Sequence, residues 1–168
     1  MGEAGVFPPD ARVELSEGEV VNMAPIGSAH AGTVKKLNRL LIDALGGKAI
    51  VSVQDPVRFG DDSELQPDLA VLRPRRDAYT DSHPSASDVL LIGEVADTSL
   101  EFDRSTKIPL YARHGIPEVS LVDLVNRLLS IYREPKDGIY RSVQTTGTPG
   151  AVELSQLPGV TIDLSGLL

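Results

Sequence analysis

The segment "DVLLIGEVADTSLEFDRSTKIPLYARHGIPEVSLVD", residues 88–123, constrains the fold more than any other part of the chain. Its two ends, "DVLLIGEV" and "PEVSLVD", are short apolar runs that read as buried strands. Between them, residues from about Asp103 to His114 carry apolar groups at helical spacing, and Gly115 supplies the stop. A strand–helix–strand unit crosses over right-handed and pairs its strands in parallel. An α/β fold follows, with a mixed sheet flanked by helices. The unit also poses a chemical question, because Glu94 sits inside the end of the first strand. A lone buried carboxylate is costly, so it has either a partner or a job.

The rest of the chain supplies the other layers. "RVELSEGEVVNMAP" predicts an N-terminal β-hairpin around Glu17-Gly18, stopped by Pro25. "SAHAGTVKKLNRLLIDALGG" predicts a helix with Ser28 as its cap and Gly46-Gly47 as its end. Its apolar face carries Ile26, His30, Val34, Leu37, Leu41 and Leu45. "KAIVSVQDPVRFG" gives one or two strands broken at Pro56, and "PDLAVLRP" a short strand. "LLSIYRE" and "GIYRSVQ" read as antiparallel strands around Lys136-Asp137-Gly138, and "LPGVTIDLSGLL" as a last strand and turn. There is no internal repeat and no internal boundary, so residues 1–168 are expected to form one domain. Residues 73–88, "RPRRDAYTDSHPSASD", are long for a structureless loop, which marks them as functional or mobile.

Composition narrows the function. Without cysteine there are no disulfides and no thiolate metal sites. With 4% aromatic residues and no Trp, stacking platforms for single-stranded nucleic acid are not expected. "MGEAGVFPPD" does not read as a signal peptide and no apolar run is long enough to cross a bilayer, so the expectation is a cytoplasmic protein with no membrane association. A net charge of -8 argues against a protein that simply coats DNA. The charge is unevenly spread, however. Acids cluster in residues 1–20 and at Asp61, Asp62, Glu64 and Asp68, while Lys35, Lys36, Arg39, Arg73, Arg75 and Arg76 could form a basic face.

The crossover brings candidate groups together. Glu94 is near the carboxyl end of its strand, and Lys107 lies in the first turns of the returning helix. Lys107, Leu110, Tyr111 and His114 share one helical face, and Asp103 is placed to cap the helix. Asp68 opens the strand "DLAVL" behind Pro67. If that strand lies beside "DVLLIGEV", Asp68 and Glu94 come within reach of one cation. Two carboxylates, a backbone carbonyl such as that of Val95 and waters make an oxygen shell suited to magnesium or manganese. A lysine beside them can orient an attacking water or stabilise charge on a scissile phosphate. Taken singly, each residue has a plainer reading. Asp68 serves as a strand-entry residue, Lys107 as a snorkelling surface lysine, Glu94 as half of a buried ion pair, and His30 as a satisfied core histidine.

At these residues the chain resembles the Uma-type putative restriction endonuclease family, within the PD-(D/E)xK nuclease superfamily. The resemblance rests on "QPDLAVLR" and "LLIGEVADTSLEFDRSTKIPLYARHGIPEVSLVD" and extends from "SEGEVVNMAPIGSAHAGTV" to "LPGVTIDLSGLL". It implies a restriction-endonuclease-like core, a site whose motif acids are Asp68 and Glu94, and a metal held on them. The superfamily's lysine would stand two residues after the second acid, where this chain has Ala96. In this family the lysine is shifted onto the following helix, in a pattern matched by Asp103, Lys107 and Tyr111. His30 matches a histidine of the family's first helix, where related nucleases place a metal-binding Glu.

The expectation is therefore a metal-dependent endonuclease acting on phosphodiester bonds of DNA. Asp68, Glu94, Lys107 and His30 form its catalytic set, and Asp68, Glu94 and His30 its ligands for Mg2+ or Mn2+. A homodimer is expected, because duplex cleavage needs two sites and symmetric dimers are common. The alternatives are a non-catalytic relative that keeps the ion network as a binding or assembly module, and a hydrolase of small nucleotides.

Overall fold

The computed structural model describes residues 7, 8 and 10–168; for residues 1–6 and 9, the reading of the N-terminus as lacking a leader lies outside the described residues. A six-stranded mixed sheet is built from β3 (Ile50–Val53), β6 (Leu69–Leu72), β7 (Val89–Ala96), β8 (Glu118–Asp123), β9 (Leu128–Lys136) and β10 (Ile139–Thr146). Their order is β10-β9-β8-β7-β6-β3. Within this sheet β7 and β8 pair in parallel and the other neighbours antiparallel, with Glu94 opposite Leu121, as the crossover requires. Every residue of β7 is buried, the pattern of a central strand covered on both faces.

The covering layers follow from periodicity. In α1 (Ser28–Leu45), Val34, Leu37, Leu41 and Leu45 recur on one stripe and pack on Leu69, Val71, Leu91 and Val95. Two short strands, β11 (Ala151–Glu153) and β12 (Thr161–Asp163), form a hairpin that completes this layer through Ile162. The cap of α1 differs from expectation. Gly27 is the N-cap and Ser28 is already helical, with no side-chain cap bond. Gly46 ends the helix in the left-handed region, its N–H donating to the Ile42 carbonyl.

The opposite face carries the crossover helix and a smaller sheet. The crossover begins with α2 (Leu100–Phe102), passes through a π-helical turn at Asp103–Lys107 and continues as α3 (Ile108–Arg113). Leu110 and Tyr111 pack against Ile92, Val119 and Phe59. The helix thus starts three residues earlier than its periodicity suggests. Asp103, expected as the cap, lies inside it and accepts a hydrogen bond from the Ser99 hydroxyl at 2.7 Å. The predicted hairpin, β1 (Val13–Ser16) with β2 (Glu19–Asn22), does form. Two strands of two residues each, β4 (Val57–Arg58) and β5 (Glu64–Leu65), extend it to a four-stranded sheet of order β2-β1-β5-β4. Among the described residues no helix is long and apolar enough to cross a membrane.

The β9–β10 turn shows how one residue type is fixed by geometry. Asp137 and Gly138 both have positive φ, 54° and 76°, the twist a two-residue hairpin favours. A Cβ on Gly138 would also stand 3.1 Å from Cγ of Arg113. Gly138→Val should therefore lower stability by about 1–2 kcal/mol in urea denaturation. A change within error of zero would mean the turn can switch conformation.

Candidate functional site

β6 runs antiparallel to β7, with Leu69 opposite Gly93. Asp68 at the entrance of β6 therefore meets Glu94 at the exit of β7. The amide N–H of Asp68 points at Glu94 Oε2 at 3.4 Å. The Asp68 carboxylate accepts the Val95 N–H at 2.9 Å and a bond from Gln54 Nε2 at 3.2 Å. His30, on the first turn of α1, reaches Asp68 Oδ2 at 3.0 Å through Nε2. The π-turn directs Lys107 into the same place. Its Nζ lies 3.3 Å from Glu94 Oε1, 3.2 Å from Glu14 Oε1 and 3.9 Å from Asp103 Oδ1. The Tyr111 hydroxyl donates to Glu94 Oε1 one turn further along the helix.

All four predicted residues, Asp68, Glu94, Lys107 and His30, thus line one cavity of about 520 Å³, with Arg12, Met23, Ile26 and Phe102 also in its wall. The acids and the lysine are at its floor. Glu94 is 2% exposed, Lys107 6% and Asp68 9%. The plainer reading of Lys107 as a snorkelling surface residue does not hold, because its ammonium is inside. Sequence reasoning missed Glu14, which is 4% exposed and accepts the Gln66 N–H at 2.8 Å. The only signal was alternation in "VELS", which puts Glu14 and Ser16 on one face and Val13 and Leu15 on the other. Gln54 carried no signal.

The electrostatics follow from an imbalance. Four carboxylates, Glu14, Asp68, Glu94 and Asp103, surround one ammonium and one imidazole. Burial pushes Glu94 up to about 8, against the pull of Lys107 and with help from the charges of Asp68 and Asp103. Burial likewise raises Asp103. Burial would also raise Asp68, but the bonds from His30 and the Val95 N–H outweigh it and hold that carboxyl below its usual range. The bond to Asp68 in turn raises His30. Burial opposes the charge on Lys107, yet Glu94, Glu14 and Asp103 together hold it above an ordinary lysine.

A hard divalent cation suits this donor set in part. Among the described residues no group of three or more His, Cys, Asp or Glu side chains is disposed to hold a metal. Magnesium, however, is commonly held by one or two carboxylates, the rest of its shell being water and substrate phosphate. Glu94 Oε2 has only the long contact to the Asp68 amide, and the excess of carboxylates is what a dication would balance. His30 fits a neighbouring role better, since its Nε2 is already engaged with Asp68. Its Nδ1 is buried and has no hydrogen-bond partner among the described residues.

The arginine loop is held by its own contacts. Arg75 forks onto Asp77 at 2.6 and 2.8 Å, bonds the Ser82 carbonyl and lies 4.0 Å over the Tyr79 ring. Its Nε and one terminal nitrogen are engaged within the loop, while Arg73, which donates to the Ser87 carbonyl at 3.1 Å, and Arg76 are exposed. On α1, Lys35, Lys36 and Arg39 are exposed, with Arg39 3.8 Å from Asp43.

Comparison with known proteins gives the family and the fold. The family model Uma2, described as "Putative restriction endonuclease", matches residues 3–165. A solved structure from Anabaena variabilis, described as a putative nuclease belonging to DUF820, superposes with a TM-score of 0.67 at 16% identity. The match covers 91% of this chain and 86% of that one, so the two share a fold. No curated protein is detectably similar to the chain.

Proposed function

The chain belongs to the Uma2 family of putative restriction endonucleases, and from that premise we propose that it is a metal-dependent nuclease cleaving phosphodiester bonds of DNA. The observation that carries this reading is the meeting of Asp68, Glu94 and Lys107 at the floor of one cavity where carboxylates outnumber cations. Asp68 and Glu94 would hold Mg2+ or Mn2+. Such an ion, when bound, supplies Lewis-acid stabilisation of the phosphate and a more acidic water. His30 orients the Asp68 carboxylate through Nε2, and Tyr111 and Lys107 fix the rotamer of Glu94. The Lys107 ammonium is within reach of charge developing on a phosphate beside Glu94. A symmetric dimer would present two such cavities to a duplex.

The test is nicking and linearisation of supercoiled plasmid with Mg2+, Mn2+ or chelator, alongside free nucleotides as substrates. Wild-type protein should cut only with metal. Asp68→Asn should lose on the order of a hundredfold or more in rate while keeping its circular dichroism spectrum. Hydrolysis of nucleotides without DNA cleavage would redirect the reading to a small-nucleotide hydrolase. One observation favours a second reading, a non-catalytic assembly module: Lys107 has three buried carboxylate partners among the chain's own side chains.

A further inference from the structure

We infer that Glu14, on the first strand of the N-terminal hairpin, is a positioning residue that keeps Lys107 in place when a divalent cation occupies Asp68 and Glu94. The inference rests on the proposed metal-dependent reading and adds the hairpin to the site. Lys107 Nζ lies between Glu94 Oε1 at 3.3 Å and Glu14 Oε1 at 3.2 Å, with Asp103 more distant at 3.9 Å. A dication on Glu94 would draw that carboxylate's charge and repel the ammonium beside it. Lys107 would then need another anion that does not itself move.

Glu14 meets that need by its anchoring. The oxygen that faces Lys107 also accepts the Gln66 N–H at 2.8 Å. Gln66 in turn reaches back with Nε2 to the Val13 carbonyl at 3.4 Å. Gln66 stands two residues before Asp68, so one short segment ties the hairpin carboxylate to the strand that carries the first acid. Asp103 cannot replace it at equal strength, because it is farther away and is engaged by the Ser99 hydroxyl. The hairpin is therefore a wall of the cavity that also carries the counter-charge for its lysine.

Titration calorimetry of the full chain with Mg2+ and Mn2+ tests this directly. Glu14→Gln keeps an oxygen for the Gln66 N–H and removes only the charge. Lys107 should then lean on Glu94 and compete with the ion, weakening the apparent Kd by about tenfold. A purely structural role would lower the melting temperature in chelator and leave metal affinity unchanged, and that result overturns the inference. If Glu14→Gln does not fold, Glu14→Asp, too short to serve Gln66 and Lys107 at once, should weaken the ion by a smaller factor; unchanged affinity there overturns it equally. Should wild-type protein bind neither ion, the metal-dependent reading falls, and Glu14 falls with it. Normal wild-type binding with an unaffected variant overturns the role of Glu14 alone and leaves the metal-dependent reading standing.

Discussion

Lys107→Met should cost about 3–5 kcal/mol of stability at pH 8 in the presence of chelator. Methionine keeps the apolar stem but leaves Glu94, Glu14 and Asp103 around no cation, in a place where Lys107 and Glu94 are nearly inaccessible to water. The pH dependence identifies the cause. Burial already raises Glu94 and Asp103, and loss of the ammonium raises both further. A carboxyl whose folded pKa exceeds its unfolded one stabilises fully below the unfolded value and loses that contribution as pH rises through the folded one. The deficit should therefore shrink towards pH 5, where both groups take up protons, and be greatest at pH 8. Urea denaturation at the two pH values checks it. A deficit equal at both would point to packing, and one below 1 kcal/mol at pH 8 would show that water enters the cavity freely.

Much of this site can be read from the chain because crossover geometry is restrictive. Once "DVLLIGEV" and "PEVSLVD" are parallel neighbours, the intervening helix must return over the sheet, and Lys107 falls beside Glu94. Asp68 follows from one pairing, β6 against β7, which the structure contains. What could not be read depends on contacts between distant segments. Glu14 reaches Lys107 across 93 positions, and the alternation of "VELS" suits a solvated hairpin face as well as a cavity wall. The π-turn is invisible to periodicity, because one turn of a different helix perturbs an apolar pattern too little. The pairing of Arg75 is local. Arg75 and Asp77 are two residues apart and pair with each other, so one of the charges counted towards a basic face is partnered within its own loop.

A second buried glutamate shows why burial alone does not identify a site. Glu118 opens β8 and is 1% exposed, as hidden as Glu94. Its carboxylate is saturated: Arg133 donates through Nε at 3.0 Å and a terminal nitrogen at 3.3 Å, and Ser155 N–H donates at 2.9 Å. It ties the segment after β11 to the main sheet. Glu94 differs in having one poorly engaged oxygen and two further carboxylates, those of Glu14 and Asp103, around its lysine. In sequence both are single acids at the end of an apolar strand. The distinction lies in what surrounds them.

Glu94→Gln should leave the metal-free protein about as stable as wild type at pH 5 and more stable at pH 8, by on the order of 3 kcal/mol. A buried ion pair that loses one member normally strands the other charge at a cost of several kcal/mol. Here the stranded charge is not alone, because Lys107 keeps Glu14 at 3.2 Å and Asp103 at 3.9 Å. The amide oxygen can still accept from Tyr111 and Lys107. The sign follows from the raised pKa. Glu94 goes from an ordinary 4.5 to about 8, so its ionisation destabilises the fold progressively between those values. Glutamine does not titrate and escapes that loss. His30, also raised, stabilises below its ordinary 6.5 and loses this at higher pH in both proteins, so the difference between them isolates Glu94. Binding of Mg2+, which stabilises only a protein with an intact ligand pair, should shift the wild-type melting temperature and not the variant's. If Glu94→Gln instead loses several kcal/mol at pH 8 in chelator, Glu94 is there to hold the fold through Lys107, and the assembly-module reading takes the place of the nuclease.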